Sequence, residues 1–171
     1  MDARRESEGT ARKNRTTVER KSEREIVVTR TFNAPARLVF EAWTKPELFK
    51  QWWVPKSMDM VLRSCEMDVR TGGRYRLVFG HDASNPAEFF GRYIEVTPRS
   101  RIVWTNEESA DGPVTTVTFE EKDGKTLLVL HELYPSKQAL DEAIASGSTG
   151  TGGAGEQFEQ LDELLVTLVR S

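Results

Sequence analysis

A single cysteine, Cys65, in 171 residues excludes an internal disulfide and leaves a cysteine-based metal site without ligands. Histidine is equally scarce. His81 and His131 are the only imidazoles, and neither sits in an HExxH or comparable spacing, so neither a metal nor any other cofactor is expected. No run approaches the roughly 20 apolar residues of a membrane span, and the leading MDARRESEGTARKNR has no apolar stretch to serve as a secretory signal. A soluble, cytoplasmic chain is the expectation. An excess of positive charge is missing too: 24 Lys and Arg stand against 27 Asp and Glu, a net charge of −3, so nothing in the global balance favours a phosphate backbone. Nucleic acid is not an expected partner. There is no G-x-S-x-G elbow, Cys65 has no predicted basic partner, and Gly72-Gly73 lacks the lysine and spacing of a P-loop. Hydrolase and nucleotide-binding readings fall away.

What is present divides the chain into a charged lead-in, residues 1–22, and one domain over 23–171. The lead-in is dense in Arg, Lys, Glu, Ser and Thr, with almost nothing to bury. The first ordered element is predicted at Glu25 to Phe32, EIVVTRTF, a β-branched run stopped by Asn33-Ala-Pro35. Pro35 suits the first turn of a helix over Ala36 to Trp43, and Thr44 with Glu47 has the spacing of a capping box for a second short helix. Leu48, Phe49, Trp52 and Trp53 form an aromatic face there that requires a partner.

From Met58 the hydrophobic period becomes two. Met58 to Arg70 reads as a strand, Thr71-Gly72-Gly73 as a tight reversal, and RYRLVF as the return, with Tyr75, Leu77 and Phe79 on one face. After the loop His81 to Pro86, strands are predicted over Glu88 to Val96, Arg101 to Asn106, Thr115 to Glu121 and Thr126 to Tyr134. The last two join through Asp123-Gly124, a strong hairpin signal. All told this is seven strands, six of them successive and antiparallel.

A short helix over Ser136 to Ala145 precedes SGSTGTGGAG, and the glycines of Ser146 to Gly155 argue for a loose loop. Glu156 to Val169 closes the chain as a helix. Phe158, Leu161, Leu164, Leu165 and Leu168 make one apolar stripe, which is stable only if a sheet covers it. The expected architecture is α+β: a curved antiparallel sheet around a long C-terminal helix.

This order of elements resembles the helix-grip fold of the START-like, or SRPBCC, superfamily, the Bet v 1-like architecture. REIVVTRTFNAPARLVFEAWTKPELFKQWW, MDVRTGGRYRLVF, FFGRYIEVTPRSRIVWT, TTVTFEEKDGKTLLVL and EQFEQLDELL are similar to bacterial relatives of the C-terminal domain of activators of the heat-shock-protein-90 ATPase. The resemblance covers about Arg24 to Leu168. It implies a cavity or groove between sheet and helix, in a family that includes binders of lipids, sterols and flat aromatic compounds alongside polyketide cyclases. The eukaryotic activators also carry an N-terminal domain with an Asn- and Trp-rich motif that acts on the chaperone. Residues before Arg24 do not resemble it, so direct stimulation of the chaperone is not expected.

The function expected from this resemblance is binding of a small hydrophobic molecule, aromatic or lipid-like. A cyclase or aromatase activity and a co-chaperone or stress-response interaction module are the alternatives, and monomer and homodimer are both compatible. The residues expected to line the cavity are Trp52, Trp53, Tyr75, Leu77, Phe79, Phe90, Tyr93, Trp104, Phe119, Leu130, Phe158, Leu161 and Leu165. No catalytic residue is assigned. His131 could serve a cavity as a base, but a lone strand histidine more often packs or faces water. Arg76, Arg92, Glu66, Asp68 and Glu132 also lie on strands, where alternation turns most charges to solvent and any inward one needs a partner.

Overall fold

The computed structural model describes residues 16–58, 60–80, 87–108, 110–146 and 150–170. His81 and the loop to Pro86 lie outside the described residues, as do 1–15 of the lead-in and 147–149 of the Gly-rich segment.

Among the described residues, eight antiparallel strands form one open sheet. In chain order they are β1 (Thr17–Arg20), β2 (Glu25–Phe32), β3 (Val61–Met67), β4 (Arg74–Gly80), β5 (Ala87–Thr97), β6 (Arg101–Thr105), β7 (Val114–Lys122) and β8 (Lys125–Leu133). In space they run β1-β2-β8-β7-β6-β5-β4-β3, so β3 to β8 form a meander and β2 returns to lie beside β8. The hairpins follow their turn chemistry. Asp123 and Gly124 both take positive φ, 55° and 76°, which matches the right-handed twist of β7 and β8, and Gly72 takes φ 87° in the reversal before β4.

One strand was not expected. Thr17–Arg20 pairs with the edge of β2, Val18 opposite Val28, although all four of its residues are exposed. Its apolar content is too small to announce a strand, and backbone pairing with an available edge supplies what side-chain burial does not.

On β2, Ile26, Val28, Arg30 and Phe32 alternate inward and are buried. The inward face is covered by α1 (Ala36–Thr44), which packs on β7 and β8, and by α4 (Gly150–Arg170), which packs on β2, β1 and α1. Between them in sequence are α2 (Pro46–Phe49), a 3₁₀ turn over Lys56–Met58, and α3 (Lys137–Ser146). Ser136 caps α3 through its Oγ, which accepts from the Ala139 amide at 3.0 Å. The inward charge Arg30, 6% exposed, donates to Asp162 of α4 at 3.3 Å and to the Thr16 hydroxyl at 3.1 Å.

Three local expectations are corrected. The capping box does not form: α2 is preceded by Lys45, and the Thr44 hydroxyl instead donates back to the Phe40 carbonyl at 2.9 Å. The long strand from Met58 to Arg70 shrinks to Val61–Met67, because Lys56–Met58 turns as a 3₁₀ helix and the chain leaves the ladder at Asp68, whose amide still bonds the Arg74 carbonyl at 2.9 Å. Finally, the helix begins at Gly150 rather than Glu156 and runs for 21 residues. Once Phe158, Leu161 and Leu165 are buried, each further residue adds a backbone hydrogen bond, and this propagation outweighs a glycine penalty of about 1 kcal/mol per residue.

Candidate ligand cavity

Period-two alternation brings a band of side chains onto the inward face of the sheet. Leu77 of β4 stands opposite Phe89 of β5, Tyr93 of β5 opposite Trp104 of β6, Trp104 opposite Thr115 of β7, Thr115 opposite Glu132 of β8, and Leu130 of β8 opposite Val28 of β2. The covering layer does not close on this band. Trp43 at the end of α1, Phe49, Trp53, Val54 and Pro55 around α2, Met60, Ala139 and Ala143 of α3, and Gln157 and Phe158 of α4 stand over it. Between the two layers is a cavity of about 870 Å³. That is at the upper end of small-molecule sites, whereas a packed core of this size holds few voids larger than a water molecule.

Of the residues expected at such a site, Trp53, Tyr75, Leu77, Phe79, Tyr93, Trp104, Leu130 and Phe158 line the cavity. The others are placed elsewhere. Trp52, Phe119, Leu161 and Leu165 belong to the solid core: Trp52 packs among Trp43, Phe49 and Trp53, and Phe119 contacts Phe40 and Trp43. The stripe of α4 beyond Phe158 therefore seals the β2 side instead of bordering the void. Phe90 is on the opposite face of β5 from Tyr93 and does not line the cavity. Phe90 and Tyr93 are three residues apart on one strand and cannot share a face without a bulge between them, and the β5 irregularity falls after Tyr93. Phe89 is the inward residue, with its ring 5.3 Å from that of Phe79.

Sequence reasoning also missed Trp43, which holds the aromatic cluster together. Its ring lies 4.8 Å from Trp52, 5.9 Å from Trp53 and 5.8 Å from Trp104. Its indole N–H finds no acceptor among the described residues, and the rings of Trp52, Trp53, Trp104, Phe119 and Phe158 pack around the indole. Trp53 stacks on Phe49 at 4.7 Å and 26°. An aromatic one residue before a helix end gives no sign of this, since the cluster assembles from α1, the segment after α2, β6, β7 and α4.

The cover from Trp52 to Ser57 is held by polar residues of α4 that lie outside its apolar stripe. Gln160, 8% exposed, donates through Nε2 to the Trp52 carbonyl at 2.9 Å and the Val54 carbonyl at 3.0 Å, and its Oε1 accepts from the Lys56 amide at 2.9 Å. Gln157 donates to the Trp53 carbonyl. Glu156 accepts from the Ser57 amide and hydroxyl, and these bonds hold its carboxyl below the usual carboxylate range. A segment without regular structure thus satisfies its buried backbone groups and keeps Trp53 over the void.

Three tyrosines line the cavity. Tyr75 donates its hydroxyl to the Thr105 carbonyl at 2.6 Å, an approach allowed because Gly91, opposite Tyr75, has no Cβ to fill the space beside that carbonyl. Burial pushes the Tyr75 phenol upward, and the charges of Glu108, Tyr93 and Glu107 add to the shift. Burial does the same to Tyr93 and Tyr134, reinforced at Tyr134 by Glu132. All three phenols stay protonated; Tyr93 and Tyr134 can donate a hydrogen bond to a ligand, whereas Tyr75, its proton committed to Thr105, can only accept one. His131 is not among the cavity residues; it sits between Leu130 and Glu132 on β8, with Nε2 2.7 Å from Glu25. Of the strand charges, Arg76 pairs with Glu88 and Arg92 with Glu107, both at exposed positions, whereas Glu132 lines the cavity.

An open antiparallel sheet curled around a long C-terminal helix, with two short helices after its second strand and a cavity beneath, is the helix-grip fold of the START-like superfamily. Within it, the chain belongs to the family of the Activator of Hsp90 ATPase homolog 1-like protein, whose model matches residues 33–166. The fold recurs in solved bacterial structures. A protein from Nitrosomonas europaea is 24% identical with a TM-score of 0.78, the match covering 88% of this chain and 99% of that one. One from Rhodobacter sphaeroides is 22% identical with a TM-score of 0.79, covering 90% and 99%. One from Staphylococcus epidermidis is 28% identical with a TM-score of 0.73, covering 89% and 94%. No curated protein matches the chain.

Proposed function

We propose that this protein binds a small hydrophobic molecule, aromatic or lipid-like, in the cavity between the sheet and the helical layer. The observation that carries the reading is the void itself: about 870 Å³ walled by Trp43, Trp53, Trp104, Phe79, Phe89 and Leu130 in a chain whose remaining core is packed ring against ring. A cavity of that size with apolar walls costs stability when empty, and a ligand recovers the lost contacts. Protonated Tyr93 and Tyr134 as donors, and the Tyr75 oxygen as an acceptor, supply the few directional groups that such sites use to orient a ligand.

The test is an amide-resolved NMR titration of the full chain with fatty acids, sterols and flat polyphenols. Saturable shifts confined to the Trp indoles of Trp43, Trp53 and Trp104 and to the inward residues of β4, β5 and β8 are expected. A well-folded protein in which no class produces such shifts would remove the proposal.

A further inference from the structure

Three hydroxyls on the cavity wall have no hydrogen-bond partner among the described residues. They belong to Tyr93, Thr115 and Tyr134, which are 5%, 2% and 3% exposed and all line the void. The two tyrosine backbones, by contrast, are fully paired. The Tyr93 amide donates to the Gly73 carbonyl and its carbonyl accepts from the Gly72 amide, both at 2.8 Å. The Tyr134 amide donates to the Arg24 carbonyl at 2.8 Å, and its carbonyl accepts from Arg24 Nε at 2.9 Å. Nor are the hydroxyls shut in by packing, as Arg30 Nε and the Trp43 indole nitrogen are; they open onto the cavity. A buried hydroxyl left unpaired costs about 1–3 kcal/mol, so a ligand that pairs with it gains what a hydrocarbon cannot.

The sheet sets the spacing. Thr115 of β7 stands opposite Glu132 of β8, and Tyr134 follows two residues on, which puts the Thr115 and Tyr134 backbones at the diagonal distance of about 7–8 Å. Tyr93 is two strands from Thr115, about 10 Å away, with Trp104 between them. One end of the band therefore offers two hydroxyls and the other a single phenol. Among the described residues no Lys, Arg or His lines the cavity, so a carboxylate drawn to these donors would be buried without a counter-charge. A carbonyl oxygen brings two lone pairs and no charge.

We propose that, among apolar ring compounds, the cavity selects those bearing a carbonyl oxygen, which accepts from the Tyr134 phenol and the Thr115 hydroxyl, with Tyr93 available to a second acceptor across the ring body. The proposal rests on the reading that the cavity binds hydrophobic molecules, and adds the functional group that the ligand carries.

Acetylnaphthalene and isopropenylnaphthalene have nearly the same shape, and only the first has an acceptor oxygen. Each is titrated, by amide NMR, into the full chain and into Tyr134→Phe and Thr115→Val, which remove a hydroxyl and keep the bulk. The ratio of ketone to hydrocarbon affinity is expected to fall about three- to tenfold in each variant. The carbonyl stretching frequency of the bound ketone should rise in both, since a hydrogen bond to it is lost. Because these hydroxyls have no protein partner, neither variant should lower the urea midpoint. A ratio that either variant leaves unchanged, or a midpoint that falls in Tyr134→Phe, would overturn the proposal, and binding of the hydrocarbon would leave the hydrophobic reading standing. Binding of neither compound would overturn both.

Discussion

Gln160 shows how much one side chain can hold. It serves the carbonyls of Trp52 and Val54 and the amide of Lys56 from a nearly buried position, so Gln160→Leu leaves these backbone groups without partners. A loss of about 3 kcal/mol is expected, read as a lower urea midpoint with an unchanged slope. Gly91 is constrained differently. A Cβ there would collide with the Thr105 carbonyl and crowd the Tyr75 hydroxyl, so Gly91→Ala should cost about 2 kcal/mol and loosen Tyr75 from its acceptor. Urea unfolding gives the first quantity and the Tyr75 ring resonances the second. Neither role was legible in the sequence. Gln160 falls among the polar residues of an amphipathic helix, and only the approach of the Trp52–Ser57 segment turns it into an interior group.

At the scale of elements, α4 carries the two clearest tests. Gly155 is exposed and helical, and an added Cβ meets nothing within 4 Å, so Gly155→Ala should stabilise the protein by up to about 1 kcal/mol. A loose segment at that position would instead leave the melting temperature unchanged. The Glu156–Ser57 link gives a pH signature. Because the folded carboxyl titrates below its ordinary value of 4.5, the link contributes stability above that value and loses it as pH falls through the depressed one. The Ser57 amide resonance should hold steady from neutrality down to about 4.5 and move only below it. In Glu156→Gln that step should vanish.

The molecule as a whole combines a solid half and a hollow half. Beneath α1 and α4 the inward residues Phe32, Val117, Phe119 and Leu128 are close-packed, while beneath α2 and α3 the same sheet, including Val28, Thr115 and Leu130, borders the cavity. Filling the hollow half should therefore stabilise the entire fold. At one hundred times its dissociation constant a ligand contributes about 2.7 kcal/mol, which for a chain of this size corresponds to a rise in Tm of roughly 5–10 °C. Differential scanning calorimetry with and without the compound that shifts the amide spectrum measures it, and an unchanged Tm at saturation would count against the cavity as the binding site.

The alternating runs determined most of the architecture by themselves. Glu25 to Phe32, Arg74 to Phe79 and the Asp123-Gly124 hairpin fall where local chemistry puts them, because side-chain alternation and positive-φ turns are properties of a few adjacent residues. The apolar stripe from Phe158 to Leu168 likewise demanded a covering sheet. What only the tertiary structure decided depends on residues distant in sequence. Whether Phe89 or Phe90 faces inward depends on the register with β4, and an isolated run of two phenylalanines does not contain that register. Whether Leu161 borders a void or seals it depends on where α4 lies across the sheet. The helical state of Gly150–Gly155 is paid for by packing a turn or more away.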